Sequence, residues 1–266
     1  MKILANVRYG VAGLVGAGSM LVSMPAEASF IELGNSQYFQ DFNYPSLPRS
    51  GESKHLPQGW SFAVFGRTSD HAIRADDGDR TAGGIYSYGQ DHSGNRALGT
   101  LAGANGSFGV FGAAFENGSS SAINQLNISF TGEEWRLARA GNRSSLQFQY
   151  SLDAHSITTG DWLNVPQLDF FTPNLHGAGE HDGTLSVNQQ QLSGTINFLN
   201  IPSGGAFWVR WIEAPNGTSS GGDGLAIDNF SIAAVPEVSS LLGGFAACAL
   251  LTGALIRQRT RSFDRS

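Results

Sequence analysis

The sequence predicts an all-β fold, a two-sheet antiparallel β-sandwich, and three observations carry that expectation. Charged residues make up 14% of the 266-residue chain against 41% hydrophobic ones, a balance that favours a packed core over disorder. Apolar residues alternate cleanly in several runs, with Leu126, Ile128 and Phe130 on one side of the first and Leu146, Phe148 and Tyr150 on one side of another. A period of two puts one face in a core and the other in water. Thirty-five glycines, with Ser, Asn and Thr, punctuate these short runs as turn residues do.

Strands are expected at 59–65, 107–115, 123–130, 146–151, 194–198, 207–211 and 225–232. No stretch between them shows a helical stripe, an internal repeat or a dividing linker, so residues 29–234 read as one domain. That middle holds 10 basic and 19 acidic residues. Nucleic acid demands clustered Lys and Arg and is excluded as a partner. The single cysteine, Cys248, lies in the apolar tail, which leaves the domain without disulfide, zinc or thiol chemistry.

Both ends read as addresses. Residues 1–28 carry Lys2 and Arg8, then a Gly/Ala/Val/Leu run, then Ala26-Glu27-Ala28. A charged start, an apolar middle and a small-x-small triplet form a secretory signal cleaved after Ala28, the alternative being a short membrane anchor. Residues 235–266 place Pro236-Glu237-Val238 before an apolar stretch from Leu241 to Ile256, and Arg257, Arg259 and Arg261 follow it. The stretch partitions into a bilayer as a hydrophobic helix, and the arginines keep its C-terminal end cytoplasmic.

That order resembles the PEP-CTERM sorting signal of Gram-negative bacteria that make exopolysaccharide, with the second proline of the box replaced by Val238. The resemblance implies recognition at Pro236 and Glu237 by an exosortase-type enzyme. It also implies transient anchoring in the inner membrane and release to the cell surface or extracellular space. A simple C-terminal membrane anchor has the same topology. Inside the domain, Phe39-Gln40-Asp41-Phe42-Asn43 near the start and Leu225-Ala226-Ile227-Asp228-Asn229-Phe230 near the end resemble the opening and closing strands of MAM-like and concanavalin A-like jelly rolls. There the two strands lie side by side. The closing aspartate helps hold a structural calcium, which implies Asp228 with Asp41 as its neighbour; hydrogen bonding of a buried Asp228 to backbone amides is the alternative.

Other constellations are weaker. Asp76-Asp77-Gly78-Asp79 lacks the spacing of an EF-hand and reads as an exposed acidic turn, or else a second calcium site. His176 and His181, beside Glu180 and Asp182, read as a solvated loop or a transition-metal site. Glu133 and Glu134 are adjacent and face opposite ways on a strand, and no glycosidase-like carboxylate spacing or nucleophile elbow occurs. Trp135 and Trp162, near strand ends, are the candidates for stacking a sugar ring, although aromatics more commonly fill cores. Trp208 and Trp211 fall on opposite faces of one strand. The expectation is therefore an exported, non-catalytic surface or matrix protein associated with extracellular polysaccharide. The rivals are a divergent polysaccharide hydrolase and a ligandless structural filler.

Overall fold

The computed structural model describes residues 29–66, 72–213 and 221–235. Ala26, Ala28, Pro236, Glu237, Cys248 and the tail arginines lie outside them, as do both expected membrane-directed segments. Among the described residues no helix is long and apolar enough to cross a membrane.

Two sheets face each other. The first is built on β8 (Phe108–Asn117), β15 (Ala206–Glu213) and β10 (Ser145–Ser151), paired antiparallel in that order. Beyond β8 lie β1 (Ile31–Leu33) and β4 (Trp60–Phe65), and beyond β10 lie β11 (Leu163–Asn164) and β12 (Phe170–Phe171). The second sheet centres on β9 (Leu126–Leu137) and β16 (Gly224–Ala234). On the far side of β9 are β13 (Gly179–Glu180) and β14 (Gln189–Ile196). Past β16 run β7 (Ala97–Leu101), β6 (Gly84–Tyr88), β5 (Ile73–Asp76) and β3 (Glu52–Ser53). The opening strand, β2 (Tyr38–Gln40), also pairs with β16, Phe230 opposite Gln40, as the resemblance implied. The sandwich is mixed where an antiparallel one was expected, because β1 runs parallel to β8 and β5 parallel to β6.

Aromatic side chains fill the space between the sheets. Trp211 lies at the centre, stacked on Trp60 and Phe111 at centroid separations of 6.0 and 5.8 Å, with Phe130, Phe148 and Phe230 edge-on to it. Such pairs add about 0.5–1.5 kcal/mol each beyond the area they bury. Trp208 does point the other way, yet it is covered by Phe30, Ala154 and Ile157 rather than open to water.

β16 keeps its apolar residues inward by changing step. Leu225 and Ile227 face the core, then Phe230 and Ile232 do, so the parity switches between them. A bulge makes the switch: Asp228 is opposite Thr131 but Ser231 is opposite Ser129, which leaves one extra residue on β16. Asn229 takes the strain at φ 51°, a left-handed conformation Asn tolerates better than most residues. The consequence is that Ala226, Asp228, Ser231 and Ala233 share the outer face.

Candidate functional site

The outer face of the second sheet is where strand pairing brings polar side chains together. β14, β9, β16 and the β2 segment each contribute alternate residues, and the register aligns them in rows. Thr195, Asn127 and Ala233 form one row; Ser193, Ser129, Ser231 and Phe39 form the next. Gln191, Thr131 and Asp228 follow, and then Gln189, Glu133 and Ala226. The first two rows apart from Phe39, together with Gln37, line an open groove of about 590 Å³.

Side chains in the groove are short, hydroxyl- or amide-bearing and accessible. Thr195 Oγ1 donates to Asn127 Oδ1 at 2.9 Å, and Thr131 Oγ1 donates to Gln191 Oε1 at 2.7 Å. At the rim, Phe39 is 54% exposed, since its neighbour Tyr38 takes the inward position against Phe115 and Phe230. Phe198, three residues beyond Thr195, is fully exposed and held at φ 61°. It was expected to end a strand; β14 instead starts earlier, at Gln189, and stops at Ile196. A bulky residue at positive φ is an outlier of the sort that marks functional positions.

Towards the other end the same face turns acidic and then closes. Glu133 is buried and accepts from Trp135 Nε1 at 2.9 Å and Gln189 Nε2 at 3.1 Å. Burial pushes its carboxyl up to about 8, with Asp228 adding to the shift and these two donors opposing it. Asp228 is likewise pushed up to about 7, by burial first and by Asp41 as well, while the Asn229 amide opposes the shift. Glu134 has different partners altogether: its carboxylate accepts from the Asn174 amide and lies 2.8 Å from His181 Nδ1. Burial raises its pKa. His181 Nε2 donates to the Gly177 carbonyl, so both ring nitrogens of this residue are engaged within the protein.

The structure corrects one stacking candidate and qualifies the other. Trp135 is 1% exposed, its ring parallel to Tyr88 at 6.0 Å, so no ligand reaches it. Gly183 closes over the indole, where a Cβ would come within 2.4 Å of the ring, and Gly78 lies over the Trp135 carbonyl. Trp162 is partly exposed, on the first sheet's side, with the Arg210 guanidinium 3.8 Å from its ring centroid. One of its faces is therefore already occupied by a cation–π contact.

The calcium expectation meets a mixed geometry. Asp41 and Asp228 are close enough to influence each other, as the strand pairing implied. Each carboxylate, however, is capped by an asparagine: Asn43 N and Nδ2 donate to Asp41, and Asn229 N and Nδ2 to Asp228. Among the described residues, the carboxylates near enough to share one ion are instead Asp76, Asp77 and Asp79, whose ligand atoms lie within 4.8 Å of one another. Asp76 is buried, against the expected exposed turn, and is pushed up to about 7 by burial and by Asp79. Arg80 Nε stands 3.3 Å from its Oδ1, so that cluster already holds a cation of its own.

The open polar rows were missed by sequence reasoning because no local motif marks them. The one available signal was the parity slip in Leu225–Ile232, which announces the bulge and hence which residues of β16 face outward.

No family model and no curated protein matches the chain. Solved structures similar to it include a xylan-binding module, CBM15, at 15% identity, covering 77% of this chain and 100% of that one with a TM-score of 0.38. A family 35 carbohydrate-binding module from Clostridium thermocellum is 9% identical, with coverages of 65% and 92% and a TM-score of 0.27. The enzymatically active domain of tailspike protein 4 of bacteriophage CBA120 is 10% identical, with a TM-score of 0.36; 73% of this chain is covered, but only 22% of that one. At such scores any functional reading has to stand on the chain's own geometry.

Proposed function

We propose that this chain is an exported, non-catalytic glycan-binding module that uses the open groove on the outer face of its second sheet. One observation carries the reading: three strands present Ser, Thr and Asn side chains in register across an open face, with Gln37 beside them and the exposed ring of Phe39 next to Ser231. Hydroxyl and amide groups both donate and accept, which matches the hydroxyls of a sugar. Exposed aromatic rings offer apolar faces to pyranose rings. The sequence features of the ends support export, anchoring and release by an exosortase-type enzyme, and with them an association with extracellular polysaccharide. The extended strands of a jelly roll suit such a surface.

The hydrolase reading draws on a single observation, the two raised carboxylates Glu133 and Asp228 at the acidic end of the groove. A glycosidase acid needs such a raised pKa. Both are buried, however, and each is tied to neighbouring side chains, which favours a structural role.

One experiment separates the readings. The intact protein is run through gels containing individual polysaccharides, and reducing ends are assayed in parallel. Retardation without release of reducing sugar is expected. Release abolished by Glu133→Gln would transfer the assignment to the hydrolase, and a gel series with no retardation would leave the structural filler. Mass spectrometry of the protein recovered from its native host is expected to place the mature termini after Ala28 and near Pro236. An intact C-terminal tail on released protein would remove the processing step.

A further inference from the structure

The groove's lining sets the charge of what it can hold. Its polar side chains, Gln37, Asn127, Ser129, Ser193, Thr195 and Ser231, are all uncharged, and among the described residues no Lys, Arg or His joins them. A carboxylated or sulfated sugar is held by cationic side chains or by converging N–H donors, and this lining supplies no cationic group. The nearest ionisable neighbours along the same rows are all carboxyls, of which Asp228 and Glu133, pushed up to about 7 and 8 by burial, carry their full negative charge only in alkaline solution. Asp228 occupies the row beside Ser231 and Ser129, with Asp41 next to it, and Glu133 lies one row further. Four residues of extended strand separate Ser129 from Glu133, about 13 Å, so the row bearing Asp228 falls within roughly one screening length of the groove at physiological salt. In the row of Asp228 itself, the Thr131–Gln191 pair is neutral and offers no shield.

We propose that the groove takes a neutral glycan chain in preference to polyanionic ones, because its lining supplies uncharged hydrogen-bonding contacts and no cation, with Asp41 and Asp228 beside it adding repulsion when ionised. This rests on the reading of the groove as a glycan site and narrows it to a ligand class. An acidic matrix polysaccharide is then not the partner, and a neutral chain is.

Affinity gels containing a neutral β-glucan, a neutral xylan, alginate or a sulfated galactan test it on the intact protein. Retardation by a neutral chain is expected, with retardation by either polyanion at least about tenfold weaker, as like charges at an interface impose. The variant T131K/Q191K places two cations in the row next to the groove, beside Asp228. It is expected to gain polyanion binding at low salt, to lose it at high salt, and to keep the wild-type melting temperature. Polyanion binding by the wild type equal to or tighter than neutral binding overturns the charge rule and leaves the glycan site standing. A T131K/Q191K variant that folds, still binds neutral glycan and gains nothing for polyanions also overturns it. Retardation by none of the four removes the glycan site and this inference together.

Discussion

The outer face of the second sheet has two halves made from the same strands, and they have opposite fates. On β9, Asn127 is exposed and Ser129 and Thr131 are half-buried, while Trp135 a few residues on is sealed. On β16, Ser231 and Ala233 line the groove while Ala226 is buried with Tyr86, Tyr88 and Leu101. The backbone is continuous throughout. What differs is side-chain size and the loops that follow: large aromatic rings draw the turns around Gly78 and Gly183 down onto themselves, whereas short hydroxyl groups give a loop nothing to pack on. Burying apolar area stabilises by about 25 cal/mol per Å², so only the aromatic half repays closure. Glu133 and Asp228 sit at the border, carboxylates dragged partway into the closed half.

The largest expected effect tests whether the closed half is a true second core. Trp135→Ala removes the ring that packs on Tyr88 and donates to Glu133, and should cost about 3–5 kcal/mol in urea denaturation. A loss under about 1 kcal/mol, the size of a surface substitution, would mean the aromatic half is only loosely covered.

The border carboxylates predict a pH dependence of intermediate size. Glu133, Asp228 and Asp76 have folded pKa values raised to about 8, 7 and 7. Each binds its proton more tightly folded than unfolded. The stability this contributes is fully present below about pH 4 and is lost as the pH rises through 7 to 8. Stability, and with it the melting temperature, should therefore fall between pH 5 and pH 9. Glu133→Gln should flatten part of that slope, and a slope identical to wild type would place Glu133 in contact with water.

The smallest effect concerns the open half. Phe39→Ala should leave stability within about 0.5 kcal/mol and weaken glycan retention about tenfold, the loss of one stacking contact of about 1–1.5 kcal/mol. Equal retention by wild type and variant would move the ligand away from this rim.

The long central strands were legible in advance, because alternation at 126–130 and 146–150 reports burial directly. Among the strands that were not, Ile73–Asp76, Gly84–Tyr88 and Ala97–Leu101 are buried on both faces or end in charged residues, and so show no alternation. The same double burial explains Trp135, which looked like a rim residue and proved to be a core one. β14 hid behind Gln189-Gln190-Gln191, whose polarity suggested a loop although it forms an edge strand beside β9.

By itself, then, the sequence determined that the chain folds as a two-sheet β-sandwich, acidic and without disulfides. Those properties follow from composition and from periods of two, which are local. The tertiary structure alone decided where the groove lies and that it is uncharged. Its side chains come from segments more than 150 residues apart, and only strand register and the Asn229 bulge set them side by side.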